Sequence, residues 1–327
     1  MTSTAIPAAS GPPSGTLAGW IPKTLRLRCS ISYLKICELR FHSLEDPRPF
    51  DPHRPIATRL HPPIDEVPEG YDVVVVRHEI LASPIPKLQR LPKLLCYAPR
   101  QLTHYYTDLR GGPEQAFRSM SSKTRSTVVR KVKAFKELSG GTISWRVYKT
   151  PQEMMQFHDL ARQLARKTYQ ERLFDSGLPG SESFVSGMLQ LARQDLVRGF
   201  LLFHQDAPVA YLYTPAPHGF LVYDYLGYDP QFSKHSPGTV LQYLALESLY
   251  AEQRFSFYYW GNGFSQTKEI FSTGKVLAAD LLYFRPALPT VTAVRLHRSL
   301  ESVVEHTGAA LERLSLKSAI KRALKKL

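Results

Sequence analysis

Apolar and polar positions alternate through Leu25–Tyr33, the period of a half-buried strand. In Tyr71–Leu81 the aliphatic run Val73–Val76 predicts a strand covered on both faces. Between them, Asp46–Pro63 carries prolines every few residues, which remove ladder donors and hold the backbone in extended loops. A helical period takes over near residue 116. There Val128, Val129, Val132 and Phe135 form one apolar stripe, with Arg130, Lys131, Lys133 and Lys136 largely off it, until Ser139, Gly140 and Gly141 stop the helix near residue 138.

The pattern is clearest from 143 to 285. Thr142–Tyr148 predicts a strand, and Pro151–Tyr169 a helix with the stripe Phe157, Leu160, Ala161, Leu164 and Ala165. A second helix follows at Ser181–Gln194. Three strands come next, Gly199–Gln205, Pro208–Thr214 and Gly219–Tyr228, the first two joined by a short turn at Gln205-Asp206-Ala207. A helix at Thr239–Gln253, a strand at Phe255–Trp260, a short helix near Ser265–Phe271 and a strand at Val276–Phe284 complete the order. The aromatics of Phe255–Trp260 read as core packing. The expected fold class is α/β (α+β) with a mixed central sheet.

Four segments are expected: a disordered arm at 1–24, an irregular, Pro-rich α/β domain at 25–142, a regular domain at 143–290, and basic amphipathic helices at 291–327. In the last, Leu296, Leu300, Val303 and Val304 form the stripe, Gly308 breaks the helix, and Lys317, Lys321, Arg322, Lys325 and Lys326 crowd the end. The uncharged, proline-broken start lacks the basic and apolar regions of a secretory leader.

Charge refines this picture. The chain of 327 residues carries +14, yet 143–290 holds 13 basic and 13 acidic side chains, so the surplus flanks a neutral body. Residues 118–136 contain Arg118, Lys123, Arg125, Arg130, Lys131, Lys133 and Lys136 and no acid, which favours an anionic partner. Cys29, Cys37 and Cys96 form no CxxC and are odd in number, arguing against a disulfide framework or zinc site and for a reducing cytoplasm. No histidine pair has a helical metal spacing, so no metal is expected.

Three stretches carry a resemblance, which covers about residues 94–285: the basic helix SSKTRSTVVRKVKAF, the turn and helix SPGTVLQYLALESLY, and WGNGFSQTKEIF. In this order, on this strand pattern, the chain resembles the GNAT-like acetyltransferases of the cellulose-biosynthesis and BioF2-like kind, relatives of the Fem-type peptidyltransferases. The resemblance implies a GNAT-like acyltransferase fold, preceded by a Pro-rich, degenerate GNAT-like half. It also implies acetyl-CoA or another acyl-CoA as donor.

The residues can be matched to that chemistry. A helix N-terminus offers unpaired amides to a phosphate, here those of Gly238, Thr239 and Val240 after the donor-less Pro237, with Ser236 completing the candidate donor-binding set. The resemblance places Lys268 against the reacting acyl group, where a cation stabilises a developing oxyanion. Asp224 shares a predicted strand face with Phe220, Val222 and Leu226, which suits a general base of raised pKa. Arg125, Tyr225 and Asn262 are the candidate substrate contacts. The family's Asp and Tyr are replaced by Tyr259 and Thr267, which puts any reaction needing that Asp in doubt.

The expected activity is N-acylation by direct attack of an acceptor amine on the thioester, since no cysteine or serine has a placed base. The acceptor is expected to be a small molecule or an envelope precursor. An aminoacyl-tRNA donor, as in Fem-type relatives, and a non-catalytic module binding an anionic surface are the alternatives. Localisation is expected to be cytoplasmic, with the basic tail resting on the anionic inner face of the membrane.

Overall fold

The computed structural model describes residues 19–31, 34–57, 62–112, 120–167 and 177–313. Most of the expected N-terminal arm, Arg118 and the basic run 317–326 lie outside these residues. The chain forms two compact units, one made of residues up to Leu102 with those from Leu277 onward, the other of Thr103–Val276.

In the first unit, β1 (Ile21–Ile31) and β2 (Leu34–Glu45) form an antiparallel hairpin, and β2 runs parallel to β3 (Val73–Leu81) over Ser43–Glu45. Val73, Val74 and Val75 are wholly buried, as their unbroken apolar run predicts. A small antiparallel pair follows, β4 (Leu88–Arg90) with β5 (Leu95–Tyr97). The chain then leaves through β6 (Gln101–Asp108).

The second unit opens on α1 (Ser122–Leu138), capped by the Ser121 hydroxyl. Val128 and Phe135 are buried and Val132 packs beside them, but Val129 is 51% exposed. Its expected place on the stripe is corrected, because one residue turns a helix by about 100° and carries it off the 128–132–135 line.

Next come β7 (Ser144–Tyr148), α2 (Pro151–Ala165), α3 (Glu182–Arg193), β8 (Val197–His204) and β9 (Ala207–Pro215). A Thr150–Glu153 capping box starts α2, and the Ser181 hydroxyl starts α3. Gln205 and Asp206 both have positive φ, as a tight two-residue hairpin turn requires. α2 and α3 bury Phe157, Ala161, Leu164 and Met188 against the face of the sheet carrying Leu201, Tyr211 and Tyr213.

The strand expected at Gly219–Tyr228 is corrected to two. β10 (Leu221–Val222) runs parallel to β12 (Phe257–Asn262), pairing Leu221 with Tyr258 and Val222 with Tyr259. β11 (Tyr225–Tyr228) runs antiparallel to β9. The chain therefore changes sheets at Tyr223–Asp224, leaving β12 for β9. One sheet has the order β7-β8-β9-β11, and β12 joins β10 to β6. A 3₁₀ turn at Pro230–His235 leads into α4 (Pro237–Glu252), whose residues are buried on several faces because it packs against β8 and β9 on one side and α1 on the other.

The C-terminal end of α4 is pinned by charge. Arg198 of β8 is fully buried, with Nε 3.0 Å from Glu252 Oε2 and Nη1 2.8 Å from Asp195 Oδ1. Its guanidinium also lies 5.0 Å from the centre of the Phe255 ring. α5 (Gln266–Phe271) and β13 (Gly274–Phe284) follow.

From Leu277 the chain is back in the first unit, where β13 pairs antiparallel with β3 and β5. α6 (Leu288–Arg313) runs through Gly308 without a break, correcting the expected interruption. Its inward face is also not the expected stripe. Val294, His297 and Glu301 are buried, whereas Leu296 and Val303 are 57% and 56% exposed. Polar partners set this rotation: the Tyr97 hydroxyl meets His297 Nδ1 at 2.9 Å, and Arg100 reaches Glu301 at 3.4 Å.

The segments expected from sequence differ from these units. β6 and α1 lie in the second unit because β6 pairs with β12 from Asp108–Phe257 to His104–Asn262, and because Val128 and Phe135 share a core with Trp260. Among the described residues no helix is long and apolar enough to cross a membrane. No group of three His, Cys, Asp or Glu side chains there is placed to hold a metal ion.

Candidate active site

The break at Tyr223–Asp224 defines the site, which lies wholly within the second unit. Tyr223, just past β10, is still bonded to β12, donating its amide to the Tyr259 carbonyl at 2.8 Å. Tyr225 is already paired with Tyr213 of β9. Asp224 stands between them, beyond the last β10–β12 pair and so at the level of the C-terminal half of β12. Its side chain is exposed, yet the protein around it desolvates the carboxylate and raises its pKa. That is the condition the sequence assigned to a general base.

Below the break lie polar groups that sequence reasoning did not select. The Tyr258 hydroxyl is buried without a hydrogen-bond partner, and burial drives its pKa well above the ordinary phenol value. Gln242 of α4 hydrogen-bonds the Tyr223 hydroxyl, while its own Oε1 has no partner. The only available signal was the alternation of β12, which puts Tyr258 and Trp260 on one face. It does not distinguish a packed tyrosine from a functional one.

The start of α4 forms the wall on the β11 side. Ser236 occupies the left-handed region (φ 52°, ψ 47°), and its side chain makes no capping bond. Its carbonyl takes the amides of Thr239 at 3.0 Å and Val240 at 3.1 Å. The expected set of three donors is therefore corrected: Val240 is spent within the helix, Thr239 is partly engaged, and the Gly238 amide is the one with no acceptor among the described residues. Gly238 also has little room. A Cβ there would lie 3.2 Å from Leu226 Cδ2 and 3.5 Å from Tyr228 Cδ1. Glycine thus eases the close approach of α4 to β11, where a larger side chain would make Leu226 shift by a few tenths of an ångström.

The opposite wall comes from the end of β12 and from α5. Lys268 is half-buried, and its ammonium donates to the Asn262 carbonyl at 2.5 Å. Gly261 and Gly263 both have positive φ, and a Cβ on Gly261 would sit 3.7 Å from Lys268 Nζ. The chain curls so that Lys268 lies back over the end of β12. Desolvation lowers its pKa. Asn262 is exposed beside it. Tyr259, which replaces the family Asp, is tied to β6 through a 2.7 Å bond between its hydroxyl and His104 Nδ1.

Arg125 is exposed on α1, with no carboxylate against it among the described residues. Tyr225 is half-buried and packs on Phe184 and Tyr213, in the core beneath α2 and α3. A pocket of 440 Å³ opens between the start of α1 and α5, lined by Lys123, Thr124, Thr127, Phe264, Glu269 and Ile270 among others. Phe264 is 78% exposed there. The Glu269 carboxylate takes the Tyr105 hydroxyl at 3.0 Å. The structure sets Asn262 and Lys268 together at the end of β12, Asp224 at the break beside Tyr213, Tyr225 and Tyr258, and Gly238 on the β11 side. It places Tyr225 in packing and Arg125 on the surface of α1.

Residues 122–269 match the family model described as an acetyltransferase (GNAT) domain. No curated protein matches the chain. Among solved structures, a conserved protein of unknown function from Bacteroides thetaiotaomicron VPI-5482 is similar at 12% identity and a TM-score of 0.44, over 59% of this chain and 63% of that one. The structure titled FemX is similar at 11% identity and a TM-score of 0.40, over 56% of this chain and 61% of that one. L-PGS from Bacillus licheniformis is similar at 16% identity and a TM-score of 0.42, over 69% and 73%.

Proposed function

We propose that the second unit is an acyl-CoA-dependent N-acyltransferase. The observation that carries the reading is the change of sheet at Tyr223–Asp224, which leaves β11 and β12 unpaired with one another. A gap of that kind admits an extended donor between the strands. The free Gly238 amide at the positive end of α4 suits the donor's phosphates. The donor brings a thioester carbonyl, where the acceptor nitrogen forms its C–N bond as the C–S bond breaks and the thiol leaves with a proton.

The chain's own groups do the rest. Ionised Asp224 takes the proton that the neutral amine gives up and returns it to the leaving thiolate. Protonated Lys268 faces the carbonyl oxygen as it gains charge. The pocket beside α5 is the acceptor's entry. The acceptor is a small molecule or an envelope precursor.

A second reading keeps the site and exchanges the donor for an aminoacyl-tRNA. It is favoured by the exposed cations of α1, Lys123, Arg125, Arg130, Lys133 and Lys136, against the single acid Glu137. A third treats the unit as a non-catalytic module that holds an anionic surface. Thermal melting of the full chain with acetyl-CoA, longer acyl-CoAs, free CoA and bulk tRNA separates them, since a ligand of the folded state raises Tm. A rise with CoA compounds supports the first reading. A rise with tRNA alone supports the second. Binding without turnover over a panel of amines leaves the third.

A further inference from the structure

The first unit carries a groove of its own. It has a volume of 1130 Å³ and runs between the β4–β5 pair and the N-terminal half of α6. Its apolar lining includes Leu88, Leu95, Leu288 and Val291, and its cations are Arg90, Arg295 and Arg298. All three arginines are exposed, and no carboxylate pairs with them among the described residues. Leu288 is 84% exposed at one end and Val303 56% exposed at the other.

These residues share one side of α6. Positions 288, 291, 295, 298 and 302 recur at helical spacing along the edge of the buried stripe of Val294, His297 and Glu301, with Val291 packing partly on the core that holds Val294. A helix that is only solvated has no need of bare leucine among unpaired arginines. A surface that meets an apolar layer topped by phosphates needs both, and the forked guanidinium suits a phosphate diester.

We propose that this groove seats the protein on an anionic phospholipid bilayer. Arg90, Arg295 and Arg298 take headgroup phosphates, and Leu288 enters the acyl boundary beside Leu88 and Val291. The proposal does not depend on the transferase reading, and its test reads no turnover.

The test is co-sedimentation of the full chain with phosphatidylglycerol–phosphatidylcholine vesicles and with pure phosphatidylcholine vesicles. Two basic residues at a membrane surface correspond to roughly thirtyfold in partitioning, so Arg295→Glu with Arg298→Glu is expected to weaken binding at least that much. Leu288→Ser is expected to weaken it by about tenfold. Lys133→Glu with Lys136→Glu, an equal charge change on α1, is expected to keep most of it. All the altered side chains are exposed, and unchanged melting curves confirm the fold. Four outcomes overturn the proposal: no sedimentation of the unaltered chain, equal binding to neutral vesicles, equal loss in the two charge-reversed variants, or loss only in a chain ending at Ser315. The last would assign attachment to the basic tail instead.

Discussion

Arg198→Met removes a charge from a place with no solvent to replace it. The arginine is fully buried, with Nε 3.0 Å from Glu252 Oε2, Nη1 2.8 Å from Asp195 Oδ1, and the Phe255 ring beneath it. Methionine keeps much of the stem volume, so the cost is chiefly electrostatic. Breaking a buried pair costs roughly 3–5 kcal/mol. Two features favour the lower end. Asp195 is 49% exposed and rehydrates readily, and Lys149 stays 3.2 Å from Glu252. A loss of about 3 kcal/mol in a unit of this size lowers Tm by roughly 6–12 °C.

The pH dependence gives an independent check. Burial alone would raise the Glu252 pKa, but its bonds to Arg198 outweigh this and hold it below the ordinary value of 4.5. A depressed folded pKa contributes stability above the unfolded pKa and loses it as pH falls through the folded one. The gap between unaltered protein and Arg198→Met is therefore full near neutrality and narrows in acid below about pH 4.5. Thermal melts across that range measure it, with Glu252→Gln and the double variant completing a cycle. A gap under about 2 °C at neutral pH, or one that does not narrow in acid, would refute the pinning of α4 by Arg198.

Four further outcomes are expected. Asp224→Asn should lower kcat by roughly 10²–10⁴-fold yet raise Tm at neutral pH, because a carboxylate whose folded pKa is raised destabilises the fold once pH passes that value; a lower Tm would contradict its desolvation. Turnover should climb with pH through the raised Asp224 value and fall as pH passes the lowered Lys268 value, with Lys268→Gln reducing kcat by about 10²–10³-fold and removing the alkaline limb. Gly238→Asp should abolish the thermal shift given by CoA in a variant that still folds, with Gly238→Ala intermediate, and an unchanged shift in both would move the donor elsewhere. The Cys96 thiol, whose pKa burial pushes up to about 12, should resist iodoacetamide in the native protein and react on unfolding, as peptide mass analysis would show.

Much of the second unit was legible because each of its elements has one dominant period. The helices beginning at Pro151 and Glu182 and the Gln205–Asp206 turn stand where the pattern puts them. The missed features are those that pairing partners decide. Nothing local in Gly219–Tyr228 says that half of it belongs with β12 and half with β9, so an apolar alternation reads as one strand. β2 and β6 went unrecognised because their polar residues are absorbed by cross-strand and side-chain partners, as where Thr107 donates to the Phe271 carbonyl at 2.6 Å. The rotation of α6 escaped for a similar reason: buried His297 and Glu301 look like solvent-facing residues until Tyr97 and Arg100 are placed against them. At the candidate site, Lys268 and Gly238 were proposed from their motifs, while Tyr258 and Gln242 were not, since an orphaned polar atom exists only in three dimensions.

The change of sheet at Tyr223–Asp224 has a consequence for how such a protein can diversify. One wall of the gap is written in residues 225–240 and the other in 257–268, and they meet in a single short stretch of chain. Substitutions in the first stretch can reshape what is gripped along α4 without disturbing what approaches over α5, and the reverse holds for the second. Under the proposed transferase reading, a lineage could exchange one partner of the reaction while conserving the other. Only the few residues around Asp224, common to both walls, would have to answer to two selections at once.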